Sequence, residues 1–355
     1  MVIIHIANID KKIIGGVQTA VPLMIKGQSK YANVAFINIH GDAFKNIEMI
    51  DYNEKFDIAN FPYPFNRPDI IVFHEIYRFQ YIKIYKKLVR LSIPYVIIPH
   101  GCLSKKAQSK KFFKKFIANI LFFNKFIKNA IAIQYLSQNE RKLSIYANKK
   151  FFISGNAIGK SKIKKNNFSN DCIKFVYIGR LDIWIKGLDL LLKAIEKNKD
   201  IFCQKKVSFD IYGPNCNHSR DKLKKKVDKL KLSNLVFLHK EVFYEQKEEA
   251  LLLADCFIQT SRTEGLPLGL IEALGYGIPC IITKGTGLAD IVEKYGAGYC
   301  CETNVNSISI GINCFIDNYK NVKNMSEASI NLVDETFDLN KITKKMVDTY
   351  VEIIK

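Results

Sequence analysis

The chain has 355 residues, long for one domain and comfortable for two. Hydrophobic residues make up 48% of it, ample for large cores, yet no run of about 18 or more apolar residues lacks charge, which excludes a membrane-spanning helix. The net charge of +20, from 54 Lys+Arg against 34 Asp+Glu, calls for an anionic partner: nucleic acid, an anionic membrane surface or a phosphorylated substrate, although part of the excess fits a composition rich in Lys, Ile and Asn.

Nine cysteines, an odd number, are scattered with no Cys-x-x-Cys and no zinc-spaced His pair, so they read as reduced thiols and no metal site is expected. The N-terminus is apolar from its second residue but has no basic leader and no small-residue cleavage site. It reads as a β-strand, and the chain is expected in the cytoplasm.

In chain order the pattern alternates strand and helix. Val2–Ala7 is a strand, Gly15 and Gly16 follow, and a helix is expected from about Val17 to Gly27. Strands follow at Asn33–Ile39, Ile70–Phe73 (ending before His74 and Glu75), Tyr95–Pro99 (ending at His100) and Ala130–Leu136. Gly159–Asp171 is polar, basic and strand-free, and reads as an inter-domain linker. The pattern then restarts. Strands are expected at Ile173–Ile178, Ser208–Tyr212, Val236–Leu238, Cys256–Gln259 and Cys280–Thr283, with a helix over about Lys186–Asn198 and an amphipathic one at Leu339–Ile354 carrying Tyr350, Val351 and Ile354 on one side. The reading is α/β: a first domain over 1–162, a second over 163–338 and a closing helix over 339–355, with parallel sheets whose strand ends carry the ligand-binding residues.

One segment carries chemistry. Ser261–Pro279 runs SRTEGLPLGLIEALGYGIP and follows a strand. Pro267 suits the first turn of a helix and Gly275 and Gly277 suit its stop, so Glu264 lies in the preceding loop and Glu272 inside the helix. A helix N-terminus with free N–H groups suits a diphosphate, Gly265 admits close approach, and the two carboxylates can accept from sugar and ribose hydroxyls. Alternatively Glu264 caps the helix and Glu272 is a solvated helix residue. The apolar neighbours Leu268, Leu270, Ile271, Ala273 and Leu274 favour a partly buried Glu272 that needs partners.

The segment resembles the Glu-x7-Glu signature of retaining glycosyltransferases of family 4, including the Ser-Arg before it and the Gly-x-Pro after it. The resemblance covers most of Lys174–Tyr299 and the N-terminal half in outline. It implies a GT-B fold: two Rossmann-like domains facing across a cleft, with the C-terminal helix crossing back to the first. It further implies that Arg180 and Lys186 hold the donor diphosphate, that Glu264 orients the donor sugar and that Glu272 holds the ribose. Gly15, Gly16, Gly213, Val242, Gly265, Leu266 and Leu268 are donor-side positions on the same ground. His100, at a strand end, falls where the family places a residue facing the sugar and the reaction centre, and His74 and Glu75 are acceptor-side candidates.

Ser104–Ala130 carries eight lysines and no acid, interleaved with phenylalanines. It reads as an amphipathic helix that either meets an anionic membrane through Lys110, Lys111, Phe112, Phe113, Lys114, Lys115 and Phe116 or packs its phenylalanines inward. No recognition motif accompanies the charge, so nucleic acid is not expected. The expected function is retaining, metal-independent transfer of a sugar from a nucleotide-diphosphate donor, with no further cofactor. The acceptor is a glycan or a lipid-linked saccharide, in cell-surface polysaccharide assembly on the inner membrane face. Alternatives are a nucleotide-sugar epimerase of the same fold and a non-catalytic basic membrane-surface protein.

Overall fold

The structure, a computed structural model, describes residues 1–11, 15–109, 112–147, 149–159, 161, 163–168 and 171–355. The chain divides into two compact units: Met1–Ala157 with Leu339–Lys355, and Ile158–Asp338.

The first unit is built on β1 (Val2–Ala7), β2 (Asn33–Asn38), β3 (Glu48–Met49), β4 (Ile70–His74), β5 (Tyr95–Ile98), β6 (Ala132–Tyr135) and β7 (Phe151–Ile153), in the spatial order β3-β2-β1-β4-β5-β6-β7. All pairings are parallel. Runs such as VIIHIA and IIVFH are apolar almost throughout because both faces of a parallel sheet are covered. One face packs a cluster of Phe73, Tyr81, Tyr95 and Phe126, in which the Tyr95 hydroxyl donates to the Phe126 carbonyl oxygen at 2.6 Å. The other lies under the helix Gly16–Gln28 and the last helix, Leu339–Ile354. The last helix buries Thr343, Met346, Val347 and Tyr350, a three- and four-residue spacing, while Val351 and Ile354 are only half-buried.

The second unit holds β8 (Ile173–Ile178), β9 (Val207–Tyr212), β10 (Val236–His239), β11 (Cys256–Gln259), β12 (Cys280–Thr283) and β13 (Gly298–Cys301), in the order β10-β9-β8-β11-β12-β13, again all parallel. Phe175 and Phe209 stack at 4.9 Å in its core.

Several boundaries differ from expectation. β4 extends to include His74. The helix expected from Lys186 is Leu188–Lys197, so Lys186 sits in the loop ahead of it. The helix expected to begin at Pro267 is Leu268–Gly275, with Pro267 as its flanking residue. The presumed linker is tied to the second unit. Lys164 Nζ donates to the Gly275 carbonyl at 2.5 Å, and Lys165 Nζ to the Leu252 carbonyl at 2.9 Å, two helix C-termini whose dipoles favour a cation.

The basic aromatic stretch is broken into pieces: Lys105–Ser109, Phe112–Ala118, a π-helical turn Asn119–Phe123, and Asn124–Asn129. Its phenylalanines divide. Phe123 and Phe126 are buried in the core, whereas Phe112, Phe113 and Phe116 are exposed, Phe113 by 79%. Lys115 turns inward: its ammonium donates to the Ala107 carbonyl at 2.5 Å and lies over the Tyr77 ring. Lys110 and Lys111 lie outside the described residues. No described helix is long and apolar enough to cross a membrane.

Candidate functional site

In the second unit the predicted residues gather at the C-terminal ends of β8, β9 and β11. The loop after β8 carries Arg180, exposed, and Lys186, buried. The loop after β11 carries Glu264. The Lys186 ammonium and the Glu264 carboxylate form an ion pair, their side chains only 10% and 22% exposed. Buried opposite charges tolerate one another's desolvation only in such contact. Tyr177, buried beneath them, donates to the Arg180 carbonyl at 2.8 Å. Its phenol is pushed well above the usual range by burial first, then by the charges of Glu264 and Asp182 against that of Arg180, so these charges converge on one spot.

Two ties hold the two loops together, and a third backs the Glu264 loop. Arg262 makes a fork onto Asp189, Nη1 to Oδ1 at 2.7 Å and Nη2 to Oδ2 at 2.8 Å, and its guanidinium lies over the Trp184 ring at 5.1 Å. Burial pushes the Asp189 carboxyl up, but the Arg262 hydrogen bonds and charge outweigh it and leave it below the usual range. The Arg262 N–H donates to the Ile185 carbonyl at 2.8 Å. Next, Gly187, at φ +64°, lies so close to β11 that a Cβ there would sit 1.9 Å from the Thr260 carbonyl oxygen. The Thr260 hydroxyl closes this contact by donating to the Gly187 carbonyl at 2.9 Å. On the far side, Glu264 N donates to Gly285 O at 2.8 Å and Gly287 N to Glu264 O at 3.0 Å, so the loop Gly285–Gly287 backs the Glu264 loop. Thr286 Oγ, in that loop, is buried without a partner among the described residues.

Glu272 is half-buried, as its apolar helix requires, and its carboxylate pairs with Lys247 on the helix Tyr244–Leu252. Val242 is half-buried in the loop leading to that helix, and Gly213 packs against the Gly179 carbonyl. Gly265 is exposed, Leu266 half-buried and Leu268 buried in the helix. At the ends of β9 and β10, His239 Nε2 lies 2.6 Å from Asp210 Oδ1 and its ring stacks on Tyr212 at 4.3 Å. This His-Asp-Tyr group was not anticipated. The strand register pairs His239 with Tyr212, a relation sequence spacing alone does not carry.

The first unit holds Gly15, Gly16, His74, Glu75 and His100. Gly15 precedes the helix with extended backbone, and Gly16 opens it facing open space. His100 at φ +49° and Glu75 at φ +63° both adopt left-handed backbone, a strained state for such residues that recurs at ligand sites. Glu75 pairs with Arg78 at 3.1 Å. His74 and His100 come together, His74 Nδ1 lying 3.0 Å from His100 Nε2, and a third histidine joins them, His5 Nδ1 lying 2.9 Å from His74 Nε2. Behind His100, Glu140 accepts from Gly101 N at 2.5 Å and Leu136 N at 2.6 Å, bracing the ends of β5 and β6. Among the described residues one trio of potential metal ligands gathers, Asp10, His40 and Asp42, with the His40 ring nitrogens 3.7 and 3.3 Å from the two carboxylates.

Residues 159–332 match the family described as Glycosyl transferases group 1. The chain is 27% identical over 125 residues to an N-acetyl-alpha-D-glucosaminyl L-malate synthase of Bacillus anthracis, a match covering 34% of this chain and 31% of that protein. It is 30% identical over 108 residues to a UDP-Gal:alpha-D-GlcNAc-diphosphoundecaprenol alpha-1,3-galactosyltransferase of Escherichia coli, covering 29% and 27%. These matches thus span a third or less of each curated relative. Over the whole chain the structure resembles Anabaena HepE in complex with UDP and glucose, with a TM-score of 0.74 at 16% identity, covering 99% of this chain and 100% of the other. The chain therefore has the GT-B fold, and the Glycosyl transferases group 1 match lies on the unit that carries the Lys186–Glu264 pair.

Proposed function

We propose that the protein is a retaining glycosyltransferase that moves a sugar from a nucleotide-diphosphate donor to a glycan or lipid-linked saccharide in cell-surface polysaccharide assembly. The observation that carries this reading is the buried Lys186–Glu264 pair beside exposed Arg180. An ammonium has three donors and a carboxylate two acceptor oxygens, so their single contact leaves N–H groups for phosphate oxygens and an oxygen for a sugar hydroxyl. The UDP bound by Anabaena HepE and the UDP-galactose named for the Escherichia coli relative support a uridine donor.

In the proposed reaction the bond between the anomeric carbon and the phosphate oxygen breaks and its electron pair leaves with the diphosphate. Arg180 and Lys186 stabilise that charge without a metal. The acceptor oxygen bonds to the same face of the sugar, and its proton passes to the departing phosphate oxygen. Glu264 orients the sugar and Glu272 the ribose. The exposed side chains of Phe112, Phe113 and Phe116 beside Lys114 support docking on an anionic membrane surface, where lipid-linked acceptors reside.

The test begins with thermal-shift measurements across nucleotide sugars. One of them is expected to stabilise the protein by about 2.7 kcal/mol at a hundred times its Kd. Arg180→Ala removes this shift and transfer, and Glu264→Gln removes transfer while both variants stay folded. Glutamine is used because alanine would leave Lys186 buried without a partner. No shift with any donor, or full transfer by either variant, overturns the assignment.

A further inference from the structure

The three histidines of the first unit end a longer polar chain whose direction is set from the inside. Parallel register pairs His5 with Val72 and His74 with Ile98. His74 lies two residues beyond Val72, and His100 two beyond Ile98. Alternate residues of a strand face one side, so His5 and His74 stand on the same sheet face, and His100, two residues past the end of β5 in left-handed backbone, joins them through its contact with the His74 ring. That face is the one covered by the helices Gly16–Gln28 and Leu339–Ile354. The rings stack pairwise, with centroids 5.2 and 5.3 Å apart.

Behind His5 the chain continues through buried side chains. His5 Nε2 lies 2.8 Å from Gln28 Oε1. The Gln28 amide NH2 faces Met346 Sδ at 3.5 Å and the Tyr350 oxygen. The Tyr350 hydroxyl donates to Gln134 Oε1 at 2.7 Å, and Gln134 Nε2 donates to the Ser154 carbonyl at 3.2 Å.

Two groups in this chain only accept: the Ser154 carbonyl and the Met346 thioether. The carbonyl turns the Gln134 NH2 toward itself and presents its Oε1 to Tyr350, which must donate. The thioether, together with a tyrosine oxygen whose proton is already engaged, turns the Gln28 NH2 away from His5, so Oε1 faces the imidazole and His5 Nε2 carries the proton. A neutral imidazole has one donor and one acceptor nitrogen. His5 Nδ1 therefore accepts from His74 Nε2–H, and His74 Nδ1 accepts from His100 Nε2–H. Burial keeps all three neutral, pushing His5 and His100 down to about 4 and His74 well below the usual range, the last also through its two histidine neighbours.

We propose that this chain fixes His100 in the Nε2–H tautomer, leaving its Nδ1 as an acceptor that recognises a ligand hydroxyl and rejects phosphate and carboxylate oxygens. His100 is the half-exposed end of the three, and its Nδ1 has no protein partner among the described residues. His100 is the contact residue; His5, His74 and Gln28 are positioning residues that act through it. The chain is no outlet for protons. A proton taken up at His100 and passed inward stops at Gln28, whose amide oxygen does not relay it, and leaves a charge in the apolar interior. The group recognised is a sugar hydroxyl only on the glycosyl-transfer reading above; the tautomer stands without it.

The first test is ligand-free. In protein labelled with 15N-histidine, long-range 1H–15N spectra at neutral pH should show His5, His74 and His100 as pure Nε2–H imidazoles. A His100 signal of the Nδ1–H form in the wild-type protein overturns the proposal. Gln28 Oε1 is the acceptor that holds the proton on His5 Nε2. Gln28→Leu removes it, and should bring the Nδ1–H form into the His100 spectrum although Gln28 does not touch that ring. An unaltered His100 in a folded Gln28→Leu variant shows that the chain does not set its tautomer and overturns the proposal; should that variant not fold, the wild-type spectrum decides alone. The second test uses donor sugars modified one hydroxyl at a time. At one position both the deoxy and the fluoro analogue should bind about tenfold more weakly to wild type, because fluorine cannot donate, and His100→Ala should erase that discrimination. A fluoro analogue that binds like the parent at every position where the deoxy analogue loses affinity overturns the acceptor role and leaves the transferase reading untouched.

Discussion

Gly187 offers a direct measure of how tightly the lysine loop is set. It precedes the helix Leu188–Lys197 at φ +64°, ψ +25°. Gly296, at the end of the helix Ala289–Tyr295, has nearly the same backbone, φ +69°, ψ +27°. A Cβ at Gly296 meets nothing within 4 Å, whereas at Gly187 it would lie 1.9 Å from the Thr260 carbonyl oxygen and 2.9 Å from its carbon. Alanine at either position bears the left-handed penalty of about 1–2 kcal/mol. Only at Gly187 must the backbone also move, by 1.1 Å to open 1.9 Å to the 3.0 Å that real contacts respect. Thr260 belongs to the turn that ends β11 and Gly187 to a helix start, so neither yields as a side chain would. Overpacking of this kind adds about 1–3 kcal/mol.

Gly296→Ala is therefore expected to lower the melting temperature of the second unit by about 2–8 °C, and Gly187→Ala by about 4–20 °C. A displacement near 1 Å at the residue next to Lys186 should also cut transfer about a hundredfold, while Gly296→Ala leaves it alone. Asparagine tolerates left-handed backbone, so Gly296→Asn should recover most of its loss and Gly187→Asn should not. Calorimetric melts of the four variants decide the matter. Equal losses at both positions, or recovery by Gly187→Asn, would refute the close-approach argument.

Two more predictions follow from the charges. Asp189→Asn and Arg262→Lys, combined in a double-mutant cycle, should show coupling of about 1–2 kcal/mol at pH 7, between exposed and fully buried values because both side chains are about a quarter exposed. The Asp189 carboxyl is held below its unfolded value, so its contribution is complete above that value, about 3.9, and is lost as pH falls through the folded one; coupling that weakens between pH 8 and 6 would contradict this. For the membrane surface, the protein should float with anionic but not zwitterionic vesicles, and Phe113→Ser and Phe116→Ser should each weaken partition about tenfold. Equal binding to both vesicle types, or none lost on substitution, removes the docking proposal.

The inner strands of both sheets and the Glu264–Glu272 segment are legible because their signals are local: apolar runs, glycine and proline punctuation, one fixed spacing; the edge strands β3, β7 and β13, only two to four residues long, were missed. What escaped depends on register or on contacts between distant segments. His5, inside an apolar strand, reads as an incidental polar residue until β1 and β4 are aligned, and only then does it share a face with His74, whose ring meets that of His100. Arg262 was visible as a flank of the glutamate motif, but its partner Asp189 is 73 residues away, in the first turn of the helix Leu188–Lys197. The phenylalanines of Ser104–Ala130 were open to two readings, inward or toward lipid. The π-helical turn at Asn119–Phe123 shifts the phase, so Phe123 and Phe126 enter the core while Phe112, Phe113 and Phe116 stay out.

The Lys186–Glu264 pair also changes what the glutamate motif means physically. A lysine ammonium this buried is costly unless an anion sits against it, and in this structure the anion is Glu264 itself. On the proposed reading the donor diphosphate supplies a second anion to the same ammonium. The two compete for its N–H groups, which suffice for both, and Glu264 stays poised beside the sugar because the ammonium still holds one of its oxygens. Glu264 thus has a duty in the ligand-free protein, neutralising Lys186, and another with ligand bound. The ties through Arg262, Gly187 and Gly287 serve both, since each fixes the backbone from which one of the two charges projects.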